Sequence, residues 1–380
     1  MSQKKVLVLG AGLIGKAIAI DLCRRHAVTS ADRSPEALKE LAHQHPIATL
    51  VLDITDHRAL AKAVLPFDLV IGAVPGALGF ATLRTVIEAG RDVVDISFFP
   101  EDALALDALA REKNVTAVVD CGVAPGLCNI IAGHHHRKSP LTSYECLVGG
   151  LPREPEWPFG YKAVFSPADV IEEYTRPVHM REDGKNVVRE ALSGIEAIDM
   201  DGVGRLEAFN TDGLRTLLTT MPEVSQMVER TLRYPGHAEL MKVFRATGLF
   251  SSELIEVDGT QVSPLSVTSA LLFPQWKMKP NDEDLTVMRV TVENEEGTTT
   301  HDLLDHFDRE SGTSSMARTT GYTCTAVAEL VLQGKYTRKG ISPPEMVGAE
   351  ADHYREVMDY LKERKVNLTQ RTVEPQPRTA

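Results

Sequence analysis

The chain has 380 residues, 43% of them hydrophobic and 25% charged, which is long enough and apolar enough for two domains with separate cores. A formal net charge of −12 argues against nucleic acid or an anionic membrane as partner, and no apolar run reaches the roughly 18 residues that a transmembrane helix needs. Five scattered cysteines without zinc-ligand spacing suit a reducing compartment, and a strand starts too early to leave room for a signal peptide, so a cytoplasmic location is expected.

The first strand-like run, residues 6–9, ends in Gly10-Ala-Gly12-Leu13-Ile14-Gly15, and a helix-like segment over residues 16–25 follows at once. In that setting the three glycines are a dinucleotide-binding signature. Gly10 permits the tight strand-to-helix turn, Gly12 lets a pyrophosphate approach bare backbone, and Gly15 lets the helix pack close to the strand. Unpaired N–H groups at the helix N-terminus face the phosphates. A second strand over residues 26–31 leads to Asp32, placed to accept hydrogen bonds from the adenosine ribose. An acid there repels a 2′-phosphate, so NAD is expected rather than NADP, although Arg33 beside it is the residue type that accommodates NADP. The bland alternative, a glycine-rich turn with no ligand, is outweighed by strand, turn, helix and acid standing in register.

Further strand-like runs at residues 49–52, 69–73, 92–96 and 116–119 alternate with helical stretches at 35–43, 59–64, 77–89 and 102–112. Six strands alternating with helices predict an α/β fold, a doubly wound parallel sheet of Rossmann type. Ligands of such sheets sit beyond the carboxyl ends of the strands, which here carry Asp32, Asp53, Ala73-Val74-Pro75, Asp95 and Asp120-Cys121. Asp53, followed by Ile54, could reach the adenine edge or cap the helix after Thr55. Asp95 could anchor a buried loop, touch substrate or act as a base. Cys121-Gly122-Val123-Ala-Pro-Gly126 reads as a hinge beside the nicotinamide, with Cys121 a wall residue rather than a nucleophile because no base adjoins it. His134-His135-His136 does not suggest a metal, since consecutive helical residues point about 100° apart, and no metal is expected.

From about residue 140 the rhythm changes. Residues 144–148, 205–209, 230–234, 285–293 and 299–305 read as strands without regular intervening helices, with a turn at Asn294-Glu-Glu-Gly297. An antiparallel sheet with helices on one face is expected. A long apolar helix over residues 319–332, opened by Ser315-Met-Ala-Arg318, is expected to return to the nucleotide domain. An exposed charged helix over 352–365 and a flexible tail of about a dozen residues follow. The expected divisions are a nucleotide-binding domain at 1–130, an α+β domain at 131–310, to which the family resemblance given below assigns substrate binding and dimerisation, the returning helix at 311–350, and the C-terminal helix and tail at 351–380.

Three stretches of the second domain carry chemistry. Tyr161-Lys162 places an ammonium among aromatics, either to bind a carboxylate or serve as acid/base, or simply as a surface lysine. Glu207 and the run Asn210-Thr211-Asp212 supply carboxylates and a hydroxyl for a substrate amine, or a solvated turn. Arg233-Tyr234-Pro-Gly-His237 offers a bidentate clamp for a carboxylate and a proton shuttle after a tight turn. The expected catalytic set is therefore Lys162, His237 and Glu207, with Arg233, Tyr234, Thr211, Asp95 and Cys121 around the substrate. The expected cofactor contacts are Gly10, Gly12, Leu13, Ile14, Gly15, Asp32, Arg33, Asp53, Ile54, Ala73, Val74, Pro75, Gly122 and Val123.

With these residues in view the chain resembles the saccharopine dehydrogenase-like family, above all its lysine 6-dehydrogenase branch. The matching stretches are residues 6–15, Gly122-Val-Ala-Pro-Gly126, Val148-Gly-Gly-Leu-Pro152, Leu206-Glu-Ala-Phe209, Arg230-Thr-Leu-Arg-Tyr-Pro-Gly-His237, Met316-Ala-Arg318 and Gly340-Ile-Ser-Pro-Pro344. The resemblance implies NAD-dependent oxidation at the carbon bearing the ε-amine of L-lysine, giving an aldehyde or cyclic imine, in a homodimer or higher homo-oligomer. The alternatives it leaves are a saccharopine reductase using NADP and a non-catalytic dinucleotide sensor. Tyr161-Lys162 is the pair seen in saccharopine reductases, whereas Ala124 stands where those tend to carry an Asp. Asp212 and Leu214 replace residues that are smaller in the lysine branch.

Overall fold

Short apolar runs punctuated by glycine build the N-terminal part into β1 (Lys5–Leu9), α1 (Leu13–Leu22), β2 (Ala27–Asp32), α2 (Pro35–Gln44), β3 (Ala48–Val51), α3 (His57–Val64), β4 (Leu69–Gly72), α4 (Gly76–Glu88), β5 (Val93–Asp95), α5 (Asp107–Glu112), β6 (Thr116–Val118) and α6 (Leu127–Lys138). The computed structural model describes residues 3–279 and 282–374. Helix starts are set by local caps. Ser34 Oγ accepts from Ala37 N at 3.3 Å, and Asp56 Oδ1 accepts from Arg58 and Ala59 N at 3.0 Å. Asp56, not Asp53, is thus the cap of α3.

The remaining chain forms β7 (Ser143–Pro152), α7 (Pro167–Thr175), β8 (Val178–Glu182), β9 (Lys185–Arg189), β10 (Glu196–Met200), β11 (Gly204–Asn210), α8 (Leu217–Thr220), β12 (Gln226–Arg233), α9 (His237–Ala246), β13 (Ile255–Val257), β14 (Thr260–Val262) and α10 (Pro264–Trp276). These are followed by β15 (Asp284–Asn294), β16 (Gly297–His306), α11 (Ser315–Leu332), β17 (Gly340–Ser342), α12 (Pro344–Gly348), α13 (Ala351–Glu363) and β18 (Leu368–Val373). Two units result: Met1–Ser139 with Ala317–Asn367, and Pro140–Met316 with Leu368–Ala380.

The first unit holds a seven-stranded sheet in the order β17-β6-β5-β4-β1-β2-β3, with every pairing parallel. Order reverses between β1 and β4, so the carboxyl ends of these two strands form the switch point at which doubly wound sheets bind ligands. Leu7, Leu9, Val70, Val86, Ile87 and Phe99 are fully buried in its core. Each such side chain contributes about 1.5–3 kcal/mol on leaving water. Late helices join this unit through Asp21 on α1, which accepts from Thr325 Oγ1 (2.8 Å), Tyr360 Oη (2.8 Å) and Arg364 Nε (2.9 Å).

The second unit is built on a nine-stranded sheet, β10-β11-β12-β7-β15-β16-β18 with β8 and β9 branching from β12. It is not wholly antiparallel, as its hairpins suggest, because β12 lies parallel to β7. That pairing joins strands far apart in sequence and leaves no local signal. The expected flexible tail also differs: residues 368–373 form β18, paired antiparallel with β16 from Thr298↔Val373 to Leu303↔Leu368. A polar strand at a sheet edge needs backbone hydrogen bonds, not apolar side chains, so composition conceals it. Residues 375–380 lie outside the described residues.

Candidate functional site

The glycine signature folds as a cradle. Gly10 has φ +103°, and a Cβ on it would collide with the Ala73 carbonyl oxygen; one on Gly15 would collide with the Gly10 carbonyl. A Cβ on Gly12, by contrast, would meet nothing within 4 Å. Two glycines are therefore required by packing. The third leaves bare backbone open at the start of α1, as an approaching pyrophosphate requires. Asp32 closes one side: its Oδ2 accepts from Ala11 N at 2.7 Å and its Oδ1 from Ser34 N at 2.9 Å. Arg33 is exposed, Leu13 is 54% exposed, and Ile14 is half-buried.

The other expected cofactor residues fall at the same end of the sheet. Ala73 N donates to Leu9 O at 2.9 Å, Val74 is buried, and Pro75 starts α4. Asp53 Oδ1 accepts from Thr55 N and Oγ1 at 2.9 and 2.7 Å, and the Thr55 hydroxyl holds its carboxyl below the usual range. Ile54 packs on the core. Asp95 is fully buried and accepts from Ser97 N at 2.8 Å. Cys121 N donates to Asp95 O at 2.9 Å, and burial pushes its thiol far above the ordinary value, so it is no nucleophile at neutral pH. Gly122 N donates to Pro125 O at 3.0 Å, and Cys128 N to Val123 O at 3.1 Å, closing a tight knot ahead of α6. His134 stacks on Tyr354 with ring centroids 3.6 Å apart, and burial lowers both His134 and His135 to about 4.

In the second unit a buried polar cluster forms at the end of β12. Strand periodicity places Met227, Glu229, Thr231 and Arg233 on one face. Arg233 is 2% exposed; its Nη2 donates to Glu173 Oε2 at 2.6 Å, Nη1 to Leu232 O at 3.0 Å and Nε to Tyr174 Oη at 3.3 Å. Its guanidinium carbon lies 4.6 Å from the centroid of the Tyr161 ring. Burial raises the Glu173 carboxyl despite the opposing Arg233 charge. His237 Nδ1 lies 2.9 Å from Phe159 O, which can only accept, so Nδ1 carries the proton. Nε2 then accepts from Tyr174 Oη at 2.9 Å. Burial, reinforced by Arg233, lowers His237 to about 3, and the imidazole is neutral.

Glu207 Oε2 accepts from Gly236 N at 3.0 Å and so pins the turn that starts α9, where Gly236 is left-handed with φ +91°. Tyr234 Oη donates to Pro152 O at 3.0 Å. Thr211 Oγ1 donates to Glu229 Oε2 at 2.6 Å and lies 2.9 Å from Thr231 Oγ1. Lys162, only 6% exposed, sets Nζ 3.2 Å from Glu156 Oε2, 4.0 Å from Asp282 Oδ2 and 3.4 Å from Gln275 O. The cluster thus gathers Arg233, His237 and, through Glu229, Thr211, while Glu207 and Tyr234 brace its turn.

Glu173, Tyr174, Glu229 and Trp276 escaped sequence reasoning. For Glu229 a signal existed: it shares two-residue parity with Arg233. For α7 and α10 none did. Glu229 is 5% exposed and burial raises it to about 8. A carboxyl raised from about 4.3 stabilises the fold below that value and loses the benefit as pH rises toward 8. Glu229→Gln is therefore expected to match wild type near pH 4.5. Its relative melting temperature should climb through pH 8 and then level off; a flat difference across that range sinks the assignment.

Two family models together span most of the chain. The family described as "Saccharopine dehydrogenase NADP binding domain" matches residues 6–118, and "Saccharopine dehydrogenase C-terminal domain" matches residues 122–366. Saccharopine dehydrogenase [NADP(+), L-glutamate-forming] of Saccharomyces cerevisiae is 24% identical, covering 96% of this chain and 99% of its own. Its counterpart in Pyricularia oryzae is 27% identical over 67% of this chain and 59% of its own length. The mitochondrial alpha-aminoadipic semialdehyde synthase of Bos taurus is 24% identical, and the match spans 30% of that longer protein. The solved apo saccharopine dehydrogenase (L-Glu forming) of Saccharomyces cerevisiae shares the fold, with TM-score 0.78 at 22% identity over 97% of this chain and 100% of the other.

Proposed function

We propose a reaction on the premise that this chain belongs to the saccharopine dehydrogenase family: oxidation, by a pyridine nucleotide, of the carbon bearing an amine in an amino acid. The chain is an oxidoreductase of that family with its nucleotide-binding domain at the N-terminus. The observation that carries the substrate class is one buried ion pair, the guanidinium of Arg233 donating to the carboxyl of Glu173 at 2.6 Å, on the face of β12 that also carries the buried Glu229. A zwitterionic amino acid needs both signs of charge in its site.

In this reading the backbone at Gly10, Gly12 and Gly15 with Asp32 holds the nucleotide, which supplies the hydride acceptor when bound. Arg233 orients a substrate carboxylate, and the buried setting excludes water from it. Before hydride leaves the carbon, the substrate ammonium must lose a proton. In this reading Lys162 or His237, the latter through Tyr174 Oη, takes it. Water then hydrolyses the resulting iminium to a carbonyl and ammonia, or an internal amine closes a ring.

L-Lysine oxidised at its ε-carbon is the substrate this reading puts first, and saccharopine the second, favoured by the names of the relatives and by Tyr161-Lys162. For the nucleotide, Asp32 favours NAD because a carboxylate fixed by two backbone N–H groups repels a 2′-phosphate, whereas the names of the fungal saccharopine dehydrogenases specify NADP. A panel of amino acids including L-lysine and saccharopine, assayed at alkaline pH with NAD and NADP, tests all three points. The expected result is NADH formation with L-lysine; reduction of neither nucleotide by any amino acid removes the proposal. A homodimer is the assembly the same resemblance implies, and sedimentation measures it.

A further inference from the structure

Two aromatic side chains buried in the second unit carry hydrogen-bond donors that meet no acceptor. Tyr161, 2% exposed, finds no acceptor for its Oη–H, the Arg233 guanidinium beside it being itself a donor, and Trp276, fully buried, finds none for its Nε1–H. Buried polar atoms without partners are rare in folded proteins and each calls for a cause. The two rings meet edge to face, with centroids 5.4 Å apart and planes at 90°, and the Arg233 guanidinium covers the Tyr161 ring. Both His237 nitrogens are already engaged, by Tyr174 and by the Phe159 carbonyl, and the Glu173 carboxylate accepts from Arg233.

We propose that Tyr161 Oη and Trp276 Nε1, beside Arg233, form a neutral donor pair that binds the carboxylate of the amino-acid substrate. This rests on the amino-acid reading of the site and names two residues which that reading does not use. The ligand class follows from the sign of the groups. Indole N–H only donates, a phenol whose ionisation burial suppresses keeps its proton, and the group that covers the Tyr161 ring is the cationic Arg233. A carboxylate satisfies all three with its two oxygens; an ammonium satisfies none. Leaving the pair uncharged also spares the cluster a second buried cation next to Arg233.

The chain has two tryptophans, and the other, Trp157, is 93% exposed, so Trp157→Phe leaves Trp276 as the sole emitter at little cost to folding. That variant, saturated with nucleotide, is titrated with L-norleucine, with its amide and with n-hexylamine. The expected result is a saturable change in Trp276 emission with norleucine alone. Adding Tyr161→Phe should weaken it about tenfold or more, as loss of a hydrogen bond to a charged group does. Equal response to the amide, or an unchanged affinity in Tyr161→Phe, overturns the proposal and leaves the two donors serving a buried water. Should Tyr161→Phe fail to fold, selectivity of the parent for carboxylate over amide decides alone. The readout needs no turnover: carboxylate-selective binding in a protein that oxidises no amino acid would retire the proposed reaction and keep this site.

Discussion

Replacing Arg233 by methionine is expected to cut kcat/KM for the amino-acid substrate by about 10³-fold or more and to destabilise the fold by about 3–5 kcal/mol. The two losses have different origins. Stability falls because Glu173 would remain in the interior without the guanidinium that donates to it at 2.6 Å. An unpaired buried carboxylate is costly, and Glu173 relieves part of that cost by taking a proton as pH falls, so the loss is greatest at alkaline pH. Activity falls because the substrate carboxylate loses its fixed counter-charge. Adding Glu173→Gln to Arg233→Met should recover most of the melting temperature and none of the turnover. Recovery of both would reduce Arg233 to a structural role. Nucleotide affinity, carried by the other unit, should stay within about twofold throughout.

The second large effect separates the glycines. Gly15→Ala puts a methyl into the Gly10 carbonyl, so α1 must lift from β1, at about 1–3 kcal/mol or more, and nucleotide binding goes with it. Gly12→Ala meets nothing within 4 Å at an ordinary φ of −73°, so its melting temperature should be that of wild type. Its affinity for the dinucleotide should nonetheless fall about tenfold or more, because the methyl occupies the space where pyrophosphate contacts backbone. Isothermal titration of both variants reads this directly. Unchanged affinity in Gly12→Ala would mean that the open face of the cradle is not where the phosphates lie.

The parallel sheet was legible from the chain because β1 to β6 are compact apolar runs in strict alternation with helices, whereas its seventh strand, β17, joins from residues 340–342 and left no such signal. Less of the second unit was legible. Its partners β7 and β12 pair from Ser143↔Gln226 to Val148↔Thr231 across a long intervening stretch. Helix α10 shows no apolar stripe, for its inward Thr268, Leu272 and Trp276 alternate with exposed Val267 and Leu271. Candidate residues followed the same rule: Gly10, Gly12, Gly15 and Asp32 are local to one strand–helix–strand unit, whereas Glu173 reaches Arg233 from α7 and Trp276 reaches Tyr161 from α10.

The residue pattern by itself determined the dinucleotide cradle, the parallel sheet around it and the presence of an arginine, a lysine and a histidine suited to amino-acid chemistry. Their states were decided only by tertiary structure. His237 is neutral, Glu229 holds its proton near neutral pH, and the guanidinium of Arg233 is shared with Glu173 and Tyr174. The physical reason is that spacing within a strand or helix is a property of neighbours along the chain, while desolvation and charge pairing depend on groups that only the folded core brings together.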